Sequence, residues 1–319
     1  CRPVRLAPLR RRQRRSHFDV PISGGRFVRL DSDGDDYLSH DVRTGAQANL
    51  TERLAASFAD TAYDTPTDLL PPHGTGGWIE GDRAVLLYDR HDVWALPLTG
   101  GTIANLTKGE GAKRSIRYRV TQLVRAGGGR GGGRGGAAAQ EPIDLGKPIL
   151  LSAFGERTKQ SGYSELAPGG SPAPLIWADK NIGFPLAAKH ADRLVFTQQT
   201  FNEYPNYWTA DKRFQSPKQV TDAYPTIFQE FAWGSKKLVE YKNSRGQRLQ
   251  GTLTLPAGYE PGNIDLRMVT AQHSGGDKSG HVDRVLGRAV LRRIGQLHLL
   301  QVDGAAGHQR PRHAREDLE

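Results

Sequence analysis

Along the chain a short phrase recurs: a turn of small or polar residues, three or four apolar residues, then polar residues again. It reads Asp33-Gly34-Asp35-Asp36-Tyr37-Leu38, then Glu80-Gly81-Asp82-Arg83-Ala84-Val85-Leu86-Leu87. It returns as Gly146-Lys147-Pro148-Ile149-Leu150-Leu151, as Ala191-Asp192-Arg193-Leu194-Val195-Phe196, and as Gly234-Ser235-Lys236-Lys237-Leu238-Val239. The turn positions 34, 81, 146, 191 and 234 lie 47, 65, 45 and 43 residues apart. A period near 45 residues, with one turn-and-strand phrase per unit, predicts β-propeller blades. The single long interval contains the glycine run 127–136, so an insertion accounts for its excess.

A second phrase supports the same reading. Thr44-Gly45-Ala46-Gln47-Ala48-Asn49-Leu50-Thr51 has a near copy in Thr99-Gly100-Gly101-Thr102-Ile103-Ala104-Asn105-Leu106-Thr107, 56 residues on. Weaker echoes run from Gly169 to Ile176 and from Ser216 to Thr221. Each predicts a closing strand, entered through a turn whose glycines tolerate positive φ. The predicted fold is all-β: a partial β-propeller of about five blade units over residues 17–240. The aromatic residues of 141–232, among them Phe154, Tyr163, Trp177, Phe184, Phe196, Phe201, Tyr204, Tyr207, Trp208, Tyr224, Phe228 and Phe231, are expected mainly to fill the space between blades.

Composition changes this picture in three places. The net charge is +10, but residues 1–16 carry +7 and residues 264–319 carry +2, so the body between them is nearly neutral. Residues 1–16 therefore read as a disordered arginine-rich leader, and the basic balance is no argument for a nucleic-acid partner. Residues 126–140 are glycine and alanine with Arg130 and Arg134, unable to bury apolar surface, and predict a disordered insertion. The run has no aromatic residue for stacking on bases, which weighs against RNA binding. Residues 263–319 hold half of the ten histidines and no strand series, and read as an atypical tail, consistent with a shift out of frame.

Cys1 is the single cysteine, which excludes an internal disulfide and a cysteine-based metal centre. Its place at the first position reads as a start inside a longer coding sequence rather than as a lipid-bearing cysteine. No apolar run approaches the roughly 20 residues of a membrane span, and no secretory signal is visible. The compartment stays open between bacterial periplasm, secretion and cytoplasm. Asp31, Asp33, Asp35 and Asp36 resemble a calcium loop but lack the glycine and glutamate that an EF-hand requires. The sequons Asn49-Leu50-Thr51 and Asn105-Leu106-Thr107 coincide with the repeat and are read as structural. His91, between Asp89 and Asp92, is read as a hydrogen-bonded strand histidine ahead of an acid–base pair.

From Phe231 onward the chain changes character. Leu238–Tyr241, a turn at Ser244-Arg245-Gly246-Gln247, and Leu249–Pro256 predict a hairpin, followed by the loop Gly258-Tyr259-Glu260-Pro261-Gly262. Here the chain resembles the prolyl-oligopeptidase family of serine peptidases, especially its dipeptidyl- and acylaminoacyl-peptidase-like members. Three stretches carry the resemblance: Asp89-Arg90-His91-Asp92-Val93-Trp94-Ala95-Leu96, Gly155–Tyr163, and Phe231–Gly262. The last is similar to the junction where the final blade passes into the hydrolase domain, which places that junction at 241–262.

The resemblance implies a propeller that restricts entry to an α/β-hydrolase active site, with peptides as substrates. Its nucleophile is a serine in a Gly-x-Ser-x-Gly elbow, which presents the hydroxyl beside oxyanion-stabilising N–H groups. No such elbow occurs in the chain. His273-Ser274-Gly275-Gly276 and Lys278-Ser279-Gly280-His281 lack the first glycine at the required spacing. No catalytic residue, cofactor or metal ligand is therefore assigned. The expectation is a peptidase propeller fragment, inactive by itself, with only the opening hairpin of an incomplete hydrolase domain. The alternative is a non-catalytic propeller that binds a protein or glycan.

Overall fold

The computed structural model describes residues 25–30, 36–52, 54–63, 70–99, 101–125, 141–183, 185–224, 230, 232–255, 257–258 and 270–274. The arginine-rich leader, the aspartates 31, 33 and 35, the glycine-rich insertion, and most of the tail lie outside them. The chain divides into two compact units, with the division between Trp233 and Gly234.

The described residues of the first unit are mostly β, with a short helix between its second and third sheets. Its first sheet joins β1 (Arg26–Leu30), β2 (Tyr37–Asp41) and β3 (Gln47–Asn49). The second joins β4 (Thr75–Trp78), β5 (Ala84–Tyr88), β6 (Val93–Pro97) and β7 (Ala104–Asn105). Helix α1 (Glu110–Arg114) then leads to β8 (Ile116–Val120), and β9 (Val124–Arg125) follows. The third sheet joins β8 to β10 (Ile149–Gly155), β11 (Ser161–Leu166) and β12 (Ala173–Ala178). The fourth contains β9, β13 (Asn181–Ile182), β14 (Leu186–Ala187), β15 (Leu194–Gln199), β16 (Asn206–Ala210) and β17 (Lys218–Gln219). Apart from the parallel pair β9–β14, the strands of these sheets pair antiparallel, chiefly with their neighbours in sequence.

Successive sheets pack face to face, the arrangement of propeller blades. Strand β5 shows why, since all five of its residues are apolar and buried. Val85 and Leu87 turn toward Val28, Leu30 and Tyr37 of the first sheet, with Phe58 in the same cluster. Leu86 and Tyr88 turn the other way, toward Ile116, Tyr118, Leu151 and Ala153 of the third. Period-two alternation normally leaves one strand face wet; here both faces are dry because a sheet lies on each side. Tyr163, Leu150 and Ile176 of the third sheet meet Leu194, Phe196, Ala210 and Phe214 beyond it. Tyr163 and Phe214 stack at 5.1 Å, and Phe196 meets Phe214 edge-on.

The aromatic residues thus divide. Tyr163, Phe196, Trp177 and Trp208 fill the space between sheets as expected, whereas Phe201, Tyr204, Tyr207 and Tyr224 stand exposed.

A side-chain brace repeats at the next-to-last strand of three sheets. The Thr51 hydroxyl donates to Asp36 and accepts the Tyr37 N–H. The Thr107 hydroxyl donates to Asp92 and accepts the Val93 N–H. The Thr221 hydroxyl donates to Asn206 and accepts the Tyr207 N–H. Each threonine lies fifteen residues after its Asp or Asn. Both sequons are therefore structural joints, since Asn49 and Asn105 bond their own threonines.

These braces set the true register of the repeat. They equate β2 with β6 and β3 with β7, so the phrase at Gly34 precedes a next-to-last strand. The phrases at Gly81, Gly146 and Ala191 precede β5, β10 and β15, each one strand earlier in its sheet. The 47-residue first interval therefore compares unlike turns, while the 56-residue spacing of the closing phrases compares like with like.

The second unit contains β18 (Ser235–Lys242), β19 (Arg248–Leu255) and β20 (Thr270–Ser274) in one antiparallel sheet. The predicted hairpin is present: Asn243 accepts the N–H groups of Arg245 and Gln247, and Gly246 takes φ 77°. The fifth repeat of the phrase, Gly234–Val239, leads into this hairpin, and β18 runs through position 240, where the sequence placed the end of the blades. One further strand, β20, follows the hairpin among the described residues. The open edge of β19 pairs it, from Gln250 opposite Ser274 to Thr254 opposite Thr270.

Candidate functional site

Among the described residues, a group of ionisable side chains gathers where the β5–β6 turn of the second sheet meets the third. Asp89 builds that turn, its Oδ1 accepting the N–H groups of His91 and Asp92 and its Oδ2 the Trp94 indole N–H. The turn then covers the open edge of β8. The Tyr118 N–H donates to the His91 carbonyl, and the Val120 N–H to the Tyr88 hydroxyl, so two edge groups of β8 find partners from the neighbouring blade.

Side chains extend this contact. The Arg119 guanidinium lies 4.5 Å from the Tyr88 ring centroid and donates to the carbonyls of Asp89 and Arg90. Burial pushes Arg119 down to about 10. Burial likewise pushes the Tyr88 hydroxyl up to about 12.

Glu156, in the β10–β11 turn, receives both basic groups of the opposing turn. Arg90 donates to it through Nε and Nη2, at 3.0 and 2.9 Å from Oε2, and His91 Nε2 lies 3.1 Å from the same oxygen. Burial alone would raise the Glu156 carboxyl. The hydrogen bonds from His91 and Arg90 outweigh it and bring the group down to about 2. At neutral pH it is a held carboxylate and not a proton donor.

His91 was expected in a strand beside Asp89 or Asp92; it lies in the turn, and its ring partner is Glu156. Asp92 serves elsewhere. Its carboxylate, 1% exposed, accepts the Thr107 hydroxyl and the N–H groups of Gly111 and Ala112 in the first turn of α1. A nearby histidine, His73, is held below the usual imidazole range by burial, with Asp60 and Asp89 pulling it up and Arg119 and Arg90 pulling it down.

This arrangement locks two blades together. It supplies no nucleophile for acyl transfer: no serine or cysteine stands hydrogen-bonded to His91 among the described residues. No group of three or more metal-ligating side chains occurs among them either. Asp36, the one described member of the calcium-like loop, accepts from Asn49 and Thr51 at 2.7 Å each. His273 and Ser274 stand in β20 opposite Gly251 and Gln250. Gly275 onward, with Ser279, lies outside the described residues. No helix among the described residues is long and apolar enough to cross a membrane.

Sequence reasoning did not reach Glu156, Arg119, Arg117 or Lys159. Glu156 and Lys159 lay within Gly155–Tyr163, one of the stretches that carries the family resemblance, whereas Arg117 and Arg119, in β8, lay in no stretch that the sequence singled out.

No family model matches the chain, and no curated protein does. Solved structures are similar at low identity. A putative dipeptidyl aminopeptidase IV from Bacteroides ovatus is 11% identical with a TM-score of 0.47, over 76% of this chain and 34% of that one. The Porphyromonas gingivalis dipeptidyl peptidase 4 is 8% identical with a TM-score of 0.45, over 74% and 30%. The Pyrococcus horikoshii acylaminoacyl peptidase is 14% identical with a TM-score of 0.39, over 77% and 33%. The chain thus matches about a third of the length of these three structures. Likenesses at this level set neither family nor activity.

Proposed function

We propose that the chain is the propeller portion of a serine peptidase of the prolyl-oligopeptidase family, which cleaves peptides by acyl transfer in a hydrolase domain. The observation that carries this reading is the second compact unit. It begins at Gly234, after the fourth sheet in sequence, and its first two strands form a hairpin ending at Leu255. The sequence Pro256-Ala257-Gly258-Tyr259-Glu260-Pro261-Gly262 comes next, as at the propeller–hydrolase junction of the family that the chain resembles.

In this reading the blades control access and hold no reacting group. Acyl transfer needs an activated nucleophile and an oxyanion hole within hydrogen-bond reach of each other. This chain carries no Gly-x-Ser-x-Gly elbow to present such a nucleophile. The nucleophile belongs to sequence coded beyond residue 262 in the source DNA.

Reading that DNA in all frames tests the proposal. A Gly-x-Ser-x-Gly followed by Asp and then His supports the peptidase. A further blade repeat in its place refutes it and favours a binding propeller.

A further inference from the structure

Basic groups outnumber acidic ones around Glu156. Arg90 and His91 share its carboxylate, the Lys159 ammonium donates to its backbone carbonyl, and Arg119 lies across Tyr88 beside the same turn. Arg117, two residues before Arg119 on β8, places its guanidinium 5.2 Å from the Phe154 ring centroid and is exposed. Its side chain makes no hydrogen bond or ion pair with a described residue. Asp89, the other carboxylate here, is committed to the N–H groups of His91, Asp92 and Trp94. Four permanent cations therefore face two carboxylates whose acceptor positions are largely taken. Lys159 is held below the usual lysine range, first by burial; Glu156 pulls it up, and Arg117 and Arg90 push it down.

We infer that the cationic surface formed by Arg90, Arg117 and Lys159 at the junction of the second and third blades binds the carboxylates of an acidic peptide segment. A guanidinium fork matches a carboxylate bidentately, and the flexible ammonium beside it takes the second oxygen. The surface is poorly suited to single-stranded nucleic acid. The Phe154 and Tyr88 rings, which bases would use for stacking, already carry the guanidinium groups of Arg117 and Arg119. The inference stands whether or not the chain belongs to a peptidase, because it uses only the charge and geometry of this junction.

The test uses the full chain and a fluorescein-labelled hexaglutamate peptide, with binding read by anisotropy. The arginine-rich leader also attracts anions, but it is the same in every variant, so differences report on the junction alone. Arg117→Gln with Lys159→Gln is expected to weaken binding about tenfold, near the upper end for two partly exposed charge contacts. Glu156→Gln removes the competing carboxylate and is expected to tighten binding, a direction that damage to the fold would not produce. At about 0.5 M salt, where the screening length is near 4 Å, the difference between variants should vanish. Equal affinity of the double variant and the unmodified chain overturns the inference. So does a labelled oligothymidylate whose binding is tighter and depends on the same two residues, or weaker peptide binding in a folded Glu156→Gln chain.

Discussion

Asp92→Ala is the perturbation whose cost the structure specifies best. The carboxylate is 1% exposed and accepts three hydrogen bonds: from the Thr107 hydroxyl, from Gly111 N–H at 3.0 Å and from Ala112 N–H at 3.1 Å. Thr107 keeps a second acceptor in Asn105. The two backbone donors lose theirs, and they sit in the first turn of α1, where no intrahelical carbonyl can replace it. Hydrogen bonds to a charged group contribute about 1.5–3 kcal/mol, and a buried donor left unpaired costs about 1–3 kcal/mol. Because Ala112 is exposed, water recovers part of its loss. We expect a loss of about 3–4 kcal/mol, which for a unit of this size lowers Tm by about 10 °C. Asn206→Ala removes the corresponding brace in the fourth sheet, where the acceptor is neutral and only part-buried. Its loss should be about 1 kcal/mol. Thermal unfolding followed in the β-sheet circular-dichroism band gives both values. A drop for Asp92→Ala no larger than that for Asn206→Ala would refute the reasoning.

Three further outcomes follow from the same geometry. Glu156 titrates near 2 in the folded chain, below the ordinary carboxyl value of 4.5. Its contribution to stability is therefore complete above about pH 4.5 and is lost as pH falls toward 2. A Glu156→Gln chain should lack that component in an acid titration, and identical acid profiles would contradict it. Gly162→Ala should destabilise by about 2–4 kcal/mol, since a Cβ there overlaps the Ile176 carbonyl on the adjacent strand, a backbone atom that cannot turn aside. Gly25→Ala, with open space around it, should cost only the strain of its positive φ, and equal denaturation midpoints for the two variants would count against this packing. Ser161→Ala should destabilise by about 1–2 kcal/mol in urea denaturation, because its hydroxyl donates to the Lys180 carbonyl and accepts the Ile182 N–H where the third sheet passes into the fourth.

What the sequence disclosed divides along local and non-local lines. The closing phrases at 44–51 and 99–107 carried their own joint, an Asn and a Thr two residues apart, and their spacing was the true one. The apolar phrase at Gly34 was misaligned because a turn followed by an apolar run describes the entry to the next-to-last strand of a sheet and to the strand before it equally well. The hairpin at 235–255 was legible because its turn, Asn243 to Gln247, closes within five residues. The strand Thr270–Ser274 was not, since Thr-Ala-Gln-His-Ser has no alternation and pairs because β19 offers an open edge. His91 could not be matched to Glu156, 65 residues away, while two aspartates stood beside it in sequence. Asp89 bonds the backbone of its own turn and the Trp94 indole N–H, work that short polar side chains do locally, while Asp92 reaches Thr107 and the first turn of α1.

Labelling with a fluorophosphonate probe tests the central claim most directly. The chain of 319 residues should remain unlabelled, and Ser274→Ala or Ser279→Ala should change nothing. A form extended through the reading frame that carries the elbow should label once, at that serine, and hydrolyse peptide substrates. Stoichiometric labelling of the 319-residue chain that is lost in Ser274→Ala or Ser279→Ala would contradict the account, as would an extended, folded form that takes no label.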